Sequence, residues 1–468
     1  MSGPSYSLPG RGQFEKVRRQ AQREGIDPGS TAAALAACII LAVGLSALAA
    51  TAPLPSVGFI LGGGIGLLGI LALAILRYDL AVGLGIMLLS IVKIEPAPPD
   101  LVFAVVIGVA TVTGRMNMRR VPPAAAVAVI SFLGLNVISA IDAVSLSEAT
   151  FYFTITLYLI VFALWFADWI KDEKRARIVV CAYLFVATVF GALGTGAFLL
   201  HFPGWQFFVE NEDARAAGLF KDPNVYGPFL IPIALITIEE ILQPRLLRLS
   251  LPVKLLCVLC MSGGVIFSFS RAAWLSLMLG MAIMIGIYAV RRGGGRKAIL
   301  MSLIIAVGAL SSATALIASG SLDFLEQRTT LQSYDTDRFA SQRNGLESAE
   351  RNPLGVGPGQ FDKISPIAAH STYVRVLAEQ GILGGLAIGV FLFATLGYAI
   401  KNALLGRSTY GIGSAPLLGA WAGLMLNSVV VDTLHWRHLW FIAALVWAGT
   451  MRRPSSALAS PGHSAPQR

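Results

Sequence analysis

Charged residues are scarce in this chain: they make up 13% of its 468 residues, whereas an ordinary soluble domain has about 25%. The mean hydropathy is +0.70. Cysteine is also scarce, with four residues that all lie inside apolar runs, and no short repeat is present. These shortages exclude a soluble globular domain, a disulfide-stapled secreted scaffold and a fibrous repeat protein. The composition therefore predicts a protein of the lipid bilayer.

Several chemical signatures are absent as well. The chain has no phosphate-binding loop of the G-x-x-x-x-G-K-[ST] kind, no H-E-x-x-H and no outer Asp, Glu and His cluster with metal-ligand spacing. Cys257 and Cys260 have C-x-x-C spacing, but their surroundings, LLCVLCMSGG, contain no cation or histidine, which favours helix packing over a redox or zinc site. We therefore expect no nucleotide, no metal and no other cofactor.

The apolar segments predict an all-α polytopic membrane protein. A helix needs about 20 apolar residues to cross about 30 Å of hydrocarbon. Segments of that length fall at 31–50, 56–76, 121–141, 150–170, 177–201, 224–242, 251–269, 271–290, 298–319, 373–400, 414–431 and 436–451. Two shorter ones, 79–94 and 100–114, flank a proline-rich hinge at 95–100 and form short helices or one re-entrant pair. The prediction is twelve to fourteen transmembrane helices.

Lysine and arginine alternate between rich and poor loops when the chain is divided in this way, as the positive-inside rule requires. This alternation predicts cytoplasmic termini, and it assigns the net charge of +10 to membrane orientation, not to nucleic-acid binding. The first 30 residues are polar and the first apolar run has full span length, so we expect no cleavable signal peptide. The first span would itself be the export signal.

These patterns divide the chain into six predicted segments. They are a basic cytoplasmic tail (1–30), an N-terminal transmembrane bundle (31–201), helices with arginine motifs at the outer face (202–319), a large outer loop (320–371), C-terminal transmembrane helices (372–452) and a disordered cytoplasmic tail (453–468).

The large outer loop is a candidate functional region because loops of this length are usually functional or disordered. Its text SYDTDRFASQRNGLESAER predicts an amphipathic helix, and NPLGVGPGQF predicts a turn-rich segment. Five cations crowd into it: Arg328, Arg338, Arg343, Arg351 and Lys363. An anionic ligand would explain them, but Glu347 lies four residues from both Arg343 and Arg351, a spacing that favours local pairing on a helix.

Two further arginines stand at predicted outer helix ends. Arg215 lies in DARAAGLFKDPNVYG before a span, and Arg271 opens a span in FSFSRAAWLSL. Each could extend to the lipid headgroups, but two arginines within polar motifs on one side favour a phosphate site, because a guanidinium binds phosphate oxygens in a bidentate manner. Asp222 and Asn224 fit the role of helix caps, with Pro223 in the first turn.

His370 lies where the outer loop becomes a span. A lone histidine is commonly a packing or interfacial residue, but an imidazole on this side could take a proton from a hydroxyl group. The span centres have almost no ionisable residue, since Asp168, Glu239, Glu240 and Lys254 lie near predicted inner ends. Ion-coupled carriers usually keep charges at the midplane, so this pattern disfavours a transporter.

Four sequence motifs in the C-terminal half resemble those of the O-antigen ligase and polymerase superfamily of bacterial surface-polysaccharide enzymes. The segment from Asp432 to Trp440 is a fifth motif that resembles the family more loosely. The four are Arg215 followed by Asp222-Pro223-Asn224, then Ser270-Arg271-Ala272-Ala273-Trp274, Asn352 to Phe361, and His370-Ser371-Thr372-Tyr373 leading to Leu377 to Gly381. The chain has Ser371 and Ala272 where the family commonly has Asn and Gly, departures that concern fine geometry and acceptor choice.

The resemblance implies a fold of the glycosyltransferase C kind in the bacterial plasma membrane, with the active site on the periplasmic face. It implies metal-independent, inverting transfer of a glycan from an undecaprenyl diphosphate carrier to an acceptor hydroxyl on a lipid or glycan. Arg215 and Arg271 would bind the diphosphate and His370 would be the general base. The residues that could complete the cavity, or form structural hydrogen bonds instead, are Arg338, Tyr373, His435 and Arg437.

Ligation of polymer to lipid A core and polymerisation of repeat units both fit this chemistry. Membrane lipids and other polysaccharide-assembly proteins are the further expected partners, and no nucleic acid is. Two alternatives of other classes are an exporter or flippase of lipid-linked glycans, and a structural scaffold of an export complex. An exporter should present polar side chains through the membrane, and a scaffold should not depend on His370.

Overall fold

The computed structural model describes residues 54–93, 97–116, 121–210, 215–291, 294–318, 320 and 333–451. Four predictions lie outside these residues: the N-terminal tail (1–30), the first span (31–50), the C-terminal tail (453–468) and the surroundings of Arg328.

Most of the described residues are helical, and very few are in strands. The α-helices are α1 (Leu54–Leu76), α2 (Tyr78–Met87), α3 (Pro98–Val112), α4 (Pro123–Ser139), α5 (Leu146–Trp169), α6 (Glu173–Leu200), α7 (Pro223–Leu242), α8 (Leu251–Phe267), α9 (Arg271–Val290), α10 (Gly295–Ala318), α11 (Ser333–Arg351), α12 (Thr372–Leu404), α13 (Ser414–Val430) and α14 (Arg437–Met451). Short 3-10 helices span Ala140–Asp142, Trp205–Phe208 and Phe361–Lys363. Two hairpins pair β1 (Val209–Glu210) with β2 (Arg215–Ala216) and β3 (Ser408–Thr409) with β4 (Ile412–Gly413).

The described residues form two compact units, of which the smaller contains 54–85 and Asp100–Arg115. Within it, the hydroxyl of Tyr78 donates to the carbonyl of Val106 at 3.1 Å. Gly85 leaves room for the ring of Phe103, which an added Cβ would meet at 2.8 Å. These contacts join α2 to α3.

The larger unit contains Ile86–Pro99 and Met116–Arg468. In it α9 packs along α13, α12 packs along α4 and α13, and α8 packs against α6 and α7. Helices α7 and α14 are the most deeply buried, and α14 carries the fully buried Trp440 and Trp447. Large apolar side chains of α4 and α12, including Ile130 and Phe393, are exposed, as expected for a surface that contacts lipid.

Six described helices are long and apolar enough to cross a membrane: α5, α6, α7, α9, α12 and the segment Pro123–Asp142 that contains α4. The polytopic helical prediction is therefore confirmed. Helices α8 and α13 have 17 residues each and α14 has 15, shorter than the predicted spans. In the segment before α14, Thr433 and Leu434 are buried by the surrounding protein.

Charges at the C-terminal end of α7 are held by local structure. The Glu240 carboxylate accepts hydrogen bonds from the backbone N–H groups of Leu246 and Leu247 at 3.0 and 3.1 Å. Lys254 Nζ donates to the Glu240 carbonyl at 2.8 Å, and the Tyr288 hydroxyl donates to Glu239 at 2.5 Å. These charged groups cap and join helix ends.

The outer loop is fastened to a break in α12. Gly381 adopts φ 71°, ψ −172° inside the helix. This conformation interrupts the helical hydrogen bonds, so that nearby helix carbonyl groups can accept hydrogen bonds from the loop. Val356 N–H donates to the Ala378 carbonyl at 3.0 Å, and Gly357 N–H donates to the Glu379 carbonyl at 2.9 Å. We call this arrangement, residues 352–361 against Ala378–Gly381, the loop clasp.

The clasp predicts that Gly381→Ala destabilises the protein by roughly 1–3 kcal/mol. The residue has a positive φ, and an added Cβ would lie 2.1 Å from the carbonyl oxygen of Pro353. Gly389→Ala is the matched control in the same helix, because no atom lies within 4 Å of its added Cβ; this variant should be unchanged or more stable by up to about 1 kcal/mol. Thermal unfolding in detergent measures both, and equal midpoints would contradict the clasp.

Candidate functional site

Arg215 is buried, with 6% of its surface exposed. Its Nε donates to the carbonyl of Ser268 at 2.9 Å and its Nη2 donates to Asn224 Oδ1 at 3.2 Å. Nη1 lies 3.6 Å from a carboxylate oxygen of Glu210, its partner across the β1–β2 hairpin. Arg215 therefore joins the hairpin to the start of α7 and the end of α8.

The start of α7 explains the motif Asp222-Pro223-Asn224. Asp222 is the N-cap and its side chain accepts from Asn224 N–H at 2.7 Å, with Pro223 in the first turn. The cap prediction is confirmed for Asp222. It is wrong for Asn224, whose side-chain oxygen accepts from Arg215. The sequence pattern could not distinguish these two roles because Asn serves both.

Arg271 is the first residue of α9. Ser270 caps this helix, and its side chain accepts from Ala273 N–H at 3.4 Å. Ser268, whose carbonyl accepts from Arg215, lies three residues before Arg271. The junction between α8 and α9 therefore accepts a hydrogen bond from Arg215 and contains Arg271.

His370 precedes α12 in a left-handed conformation, with φ 44°. Its carbonyl accepts from the side-chain amide of Gln342 at 3.3 Å, and Ser341 Oγ donates to the Ile367 carbonyl at 2.7 Å. Both donors lie on α11, the predicted amphipathic helix of the outer loop. Ser371, the next residue, caps α12. Two helices thus fix the backbone on either side of the imidazole.

The surroundings of His370 lower its pKa below the ordinary value of 6.5. Burial disfavours the imidazolium and Arg338 repels it, whereas Asp222 and Asp432 act in the opposite direction. The imidazole is therefore mainly neutral at pH 7. These interactions also relate His370 to the start of α7, where Asp222 is the cap, and to the segment before α14, which contains Asp432.

Arg375 is a charged residue that the sequence analysis did not identify. Its Nη1 lies 2.5 Å from Asp432 Oδ2, its Nε lies 3.0 Å from Glu379 Oε1, and its guanidinium is 4.9 Å from the centre of the Tyr152 ring. The i, i+4 spacing of Arg375 and Glu379 was the available signal, but Asp432 is 57 positions away. The ion pair fixes the segment 431–436 against α12.

His435 lies in that same segment. Its Nε2 is 3.1 Å from Thr156 Oγ1 and its ring centre is 5.6 Å from that of Tyr152. Burial lowers the pKa of His435 to about 4, aided by the charge of Arg375. A neutral, hydrogen-bonded imidazole between α5 and α14 fits a structural role, one of the two alternatives for this residue.

The remaining predicted residues lie on three helices. The Tyr373 hydroxyl donates to the Met425 carbonyl at 3.3 Å, which joins α12 to α13. Arg338 is on α11, partly buried, and Arg437 is the first residue of α14. Of these three, Arg338 is the one that acts on His370.

The local pairing predicted for the outer loop is confirmed. Arg343 Nε lies 3.6 Å from Glu347 Oε1 and Arg351 Nη2 lies 3.4 Å from Glu347 Oε2. Lys363 lies 3.4 Å from Glu148 on α5. The predicted helix is also confirmed, because α11 has the bounds Ser333–Arg351.

Comparison with known proteins finds one family model: residues 256–389 match Wzy_C, the O-antigen ligase family. The matched segment includes Arg271, Arg338, His370 and Tyr373, whereas Arg215, His435 and Arg437 lie outside it. No curated protein matches the chain. The resemblance to the O-antigen ligase and polymerase superfamily is thereby confirmed for the segment that contains the α9 arginine and the candidate base.

Proposed function

We propose that the protein is a membrane glycosyltransferase that moves an oligosaccharide or polysaccharide from undecaprenyl diphosphate to an acceptor hydroxyl at the periplasmic face of the bacterial plasma membrane. The observation that carries the proposal is that Asp222, the cap of α7, and Arg338 of α11 both act electrostatically on His370, while Asn224 in the first turn of α7 binds Arg215. The candidate base and a buried guanidinium therefore both interact with residues at the start of α7. The Wzy_C match supports an O-antigen ligase or polymerase type of function.

The arginines supply the positive charge that departure of a diphosphate requires. As the glycosyl bond breaks, negative charge grows on the leaving group, and prearranged donors stabilise it. Arg215 is held by three partners, so little reorganisation is needed. The lipid chain of such a donor can stay in the bilayer while its diphosphate reaches the helix ends, where Arg271 begins α9.

His370 acts as the general base toward the acceptor hydroxyl. A general base must be unprotonated at working pH, and the lowered pKa of His370 satisfies that condition. Attack from the face opposite the diphosphate inverts the anomeric carbon. Diphosphate is a good leaving group, so the proposal requires no separate general acid and no metal.

His370→Ala and Arg271→Ala should each abolish surface glycan in a strain that lacks the native gene. Removal of a general base lowers the rate by about 10²–10⁴-fold, and removal of one charge-stabilising donor lowers it by about 10²–10³-fold. The measurement is gel analysis of surface glycan. Accumulated free polymer indicates a ligase, and single repeats on the acceptor indicate a polymerase.

Two matched controls belong to this complementation test. His201→Ala removes an exposed imidazole and Arg343→Ala removes an exposed arginine that pairs with Glu347; both should give wild-type glycan. Wild-type glycan from His370→Ala and Arg271→Ala would contradict the assignment and favour the scaffold or exporter alternative.

The pH dependence of transfer tests the role of Arg338. In the wild type the rate should rise with pH as His370 loses its proton, with a midpoint below about 6.5. Arg338→Gln removes one cause of the lowered pKa, so the acidic limb should move to higher pH. Arg343→Gln, on the same helix but paired with Glu347, should leave the limb in place. An unmoved limb in Arg338→Gln would refute the proposed base.

Sidedness is tested by cysteine labelling in a cysteine-free background. Leu354→Cys in the outer loop should react with an impermeant maleimide in cells with a permeabilised outer membrane, whereas Leu405→Cys, after α12, should react only after lysis. The two leucines are similarly exposed, at 53% and 58%, so location and not access decides the result. The reverse pattern would remove the periplasmic site.

A further inference from the structure

The backbone immediately before α12 has a conformation that is unfavourable for the residue that adopts it. His370 has φ 44°, in the left-handed region that residues with a Cβ adopt at a cost in free energy. Such strain persists only where the surrounding structure imposes it, and it is concentrated at functional sites. We call residues 365–370 the His370 segment, and its contacts show what imposes this conformation.

Two buried hydroxyl groups bind the His370 segment to α11. Ser341 and Ser365 are 2% and 3% exposed. Ser341 Oγ donates to the Ile367 carbonyl at 2.7 Å and lies 3.1 Å from the Ala368 carbonyl oxygen. Ser365 Oγ accepts from Ile367 N–H at 3.4 Å and lies 3.1 Å from Ser341 Oγ. Because the one hydroxyl proton of Ser341 is directed at the carbonyls, Ser365 is the donor between the two serines.

These bonds form a closed cycle. It runs from Ile367 N–H to Ser365, from Ser365 to Ser341, and from Ser341 back to the Ile367 carbonyl. Removal of either hydroxyl leaves a buried polar group without its partner, which is unfavourable where water does not replace it. Gln342, the next residue of α11, donates to the His370 carbonyl at 3.3 Å. Helix α11 therefore holds the His370 segment at both of its ends.

The imidazole that this segment carries is half-buried, and three charged groups from three elements act on it. Arg338 lies on α11, three residues before Ser341. Asp222 caps α7, and Asp432 lies before α14. A displacement of the His370 segment would change the distance of the imidazole from all three charges and its exposure to water. The position of the imidazole can therefore be measured through its titration.

We propose that Ser341 and Ser365 are positioning residues, which hold the His370 segment so that the imidazole keeps one place and one orientation beside Arg338. They act through His370 and not on the substrate. The catalytic consequence rests on the proposed function, because a base that is misplaced by about 1 Å can lose about 10²-fold in rate. The positioning itself is a property of the fold and can be measured without a substrate.

Modification by diethylpyrocarbonate measures the imidazole directly. The reagent reacts with the unprotonated ring, so the rate at His370 between about pH 5 and 8 reports both its exposure and its titration midpoint. The rate is followed by mass spectrometry of peptides from the purified full-length protein. The exposed His201 of the same molecule is the internal reference.

Ser341→Ala should free the His370 segment from α11. The imidazole then gains exposure, so His370 should react faster than in the wild type at about pH 8, relative to His201. Its titration midpoint should also move up toward 6.5, because water weakens the effects of burial and of Arg338 that lower its pKa. Ser365→Ala should act in the same way. The double variant should add nothing to the larger single effect, because either change opens the same cycle.

Ser348→Ala is the matched control. Ser348 is also a buried serine of α11, about two turns beyond Ser341, but it lines a cleft at the C-terminal end of the helix. Its variant should give wild-type modification of His370. Wild-type modification of His370 in Ser341→Ala or in Ser365→Ala would overturn the proposal.

The strained backbone has its own test in thermal unfolding. Glycine adopts a positive φ without the penalty of a Cβ, so His370→Gly should unfold about 1 °C or more above His370→Ala. His201 has φ 46° after α6 and is the matched position, where the glycine variant should also exceed the alanine variant. An equal or lower unfolding temperature for His370→Gly than for His370→Ala would contradict the strained backbone on which the proposal rests.

Complementation connects the positioning to the proposed transfer. In a strain that lacks the native gene, Ser341→Ala expressed at a limiting level should lower surface glycan by about tenfold or more, as expected for a misplaced base. Wild-type glycan from Ser341→Ala, where His370→Ala abolishes it, would overturn the catalytic consequence. A shifted modification profile together with wild-type glycan from His370→Ala would support the positioning and remove only the proposed base, so the two failures are distinguishable.

Discussion

The ion pair of Arg375 is the interaction on which the candidate site depends. One guanidinium contacts Glu379 on its own helix, Asp432 before α14 and the ring of Tyr152 on α5. The pair with Asp432 is part-buried, so removing one partner would leave the other charge uncompensated and only partly solvated, which is destabilising. Three elements far apart in sequence are thereby held in one arrangement, and the backbone of His370 lies a single turn before Arg375.

The Glu379 carboxylate also connects the ion pair of Arg375 to the loop clasp. Glu379 accepts from Arg375 through its side chain and from Phe361 N–H at 3.2 Å, while its carbonyl accepts from the loop. The motifs Asn352 to Phe361 and Leu377 to Gly381 are therefore two halves of one structure. Gln360 extends the connection, because its amide accepts from Ser145 N–H at 2.9 Å at the start of α5. These two motifs therefore hold the candidate site in position, whereas the motifs of Arg215, Arg271 and His370 contain the candidate site residues.

Sequence patterns predicted the helices well because the bilayer imposes length and hydropathy on each span separately. Helix α11 and the ion pairs of Glu347 were predictable from the local sequence. The candidate site was predictable only in part. His370 and Arg215 stand out at helix ends, but the partner of Arg375 is 57 positions away, so that ion pair follows from the fold and not from local sequence. The cap prediction for Asn224 was wrong because a side-chain amide can either cap a helix or bind an arginine, and the sequence does not distinguish the two.

The electrostatics of the site follow from how these elements meet. A phosphate site needs cations, and cations near a histidine lower its pKa; Arg338 has this effect on His370, and burial adds to it. Asp222 and Asp432 oppose that effect, but each already has a structural bond, to Asn224 N–H and to Arg375. These bonds hold both carboxylates in position. In the proposed mechanism a neutral imidazole is the state that the base needs before its acceptor arrives, and burial and the charge of Arg338 favour that state.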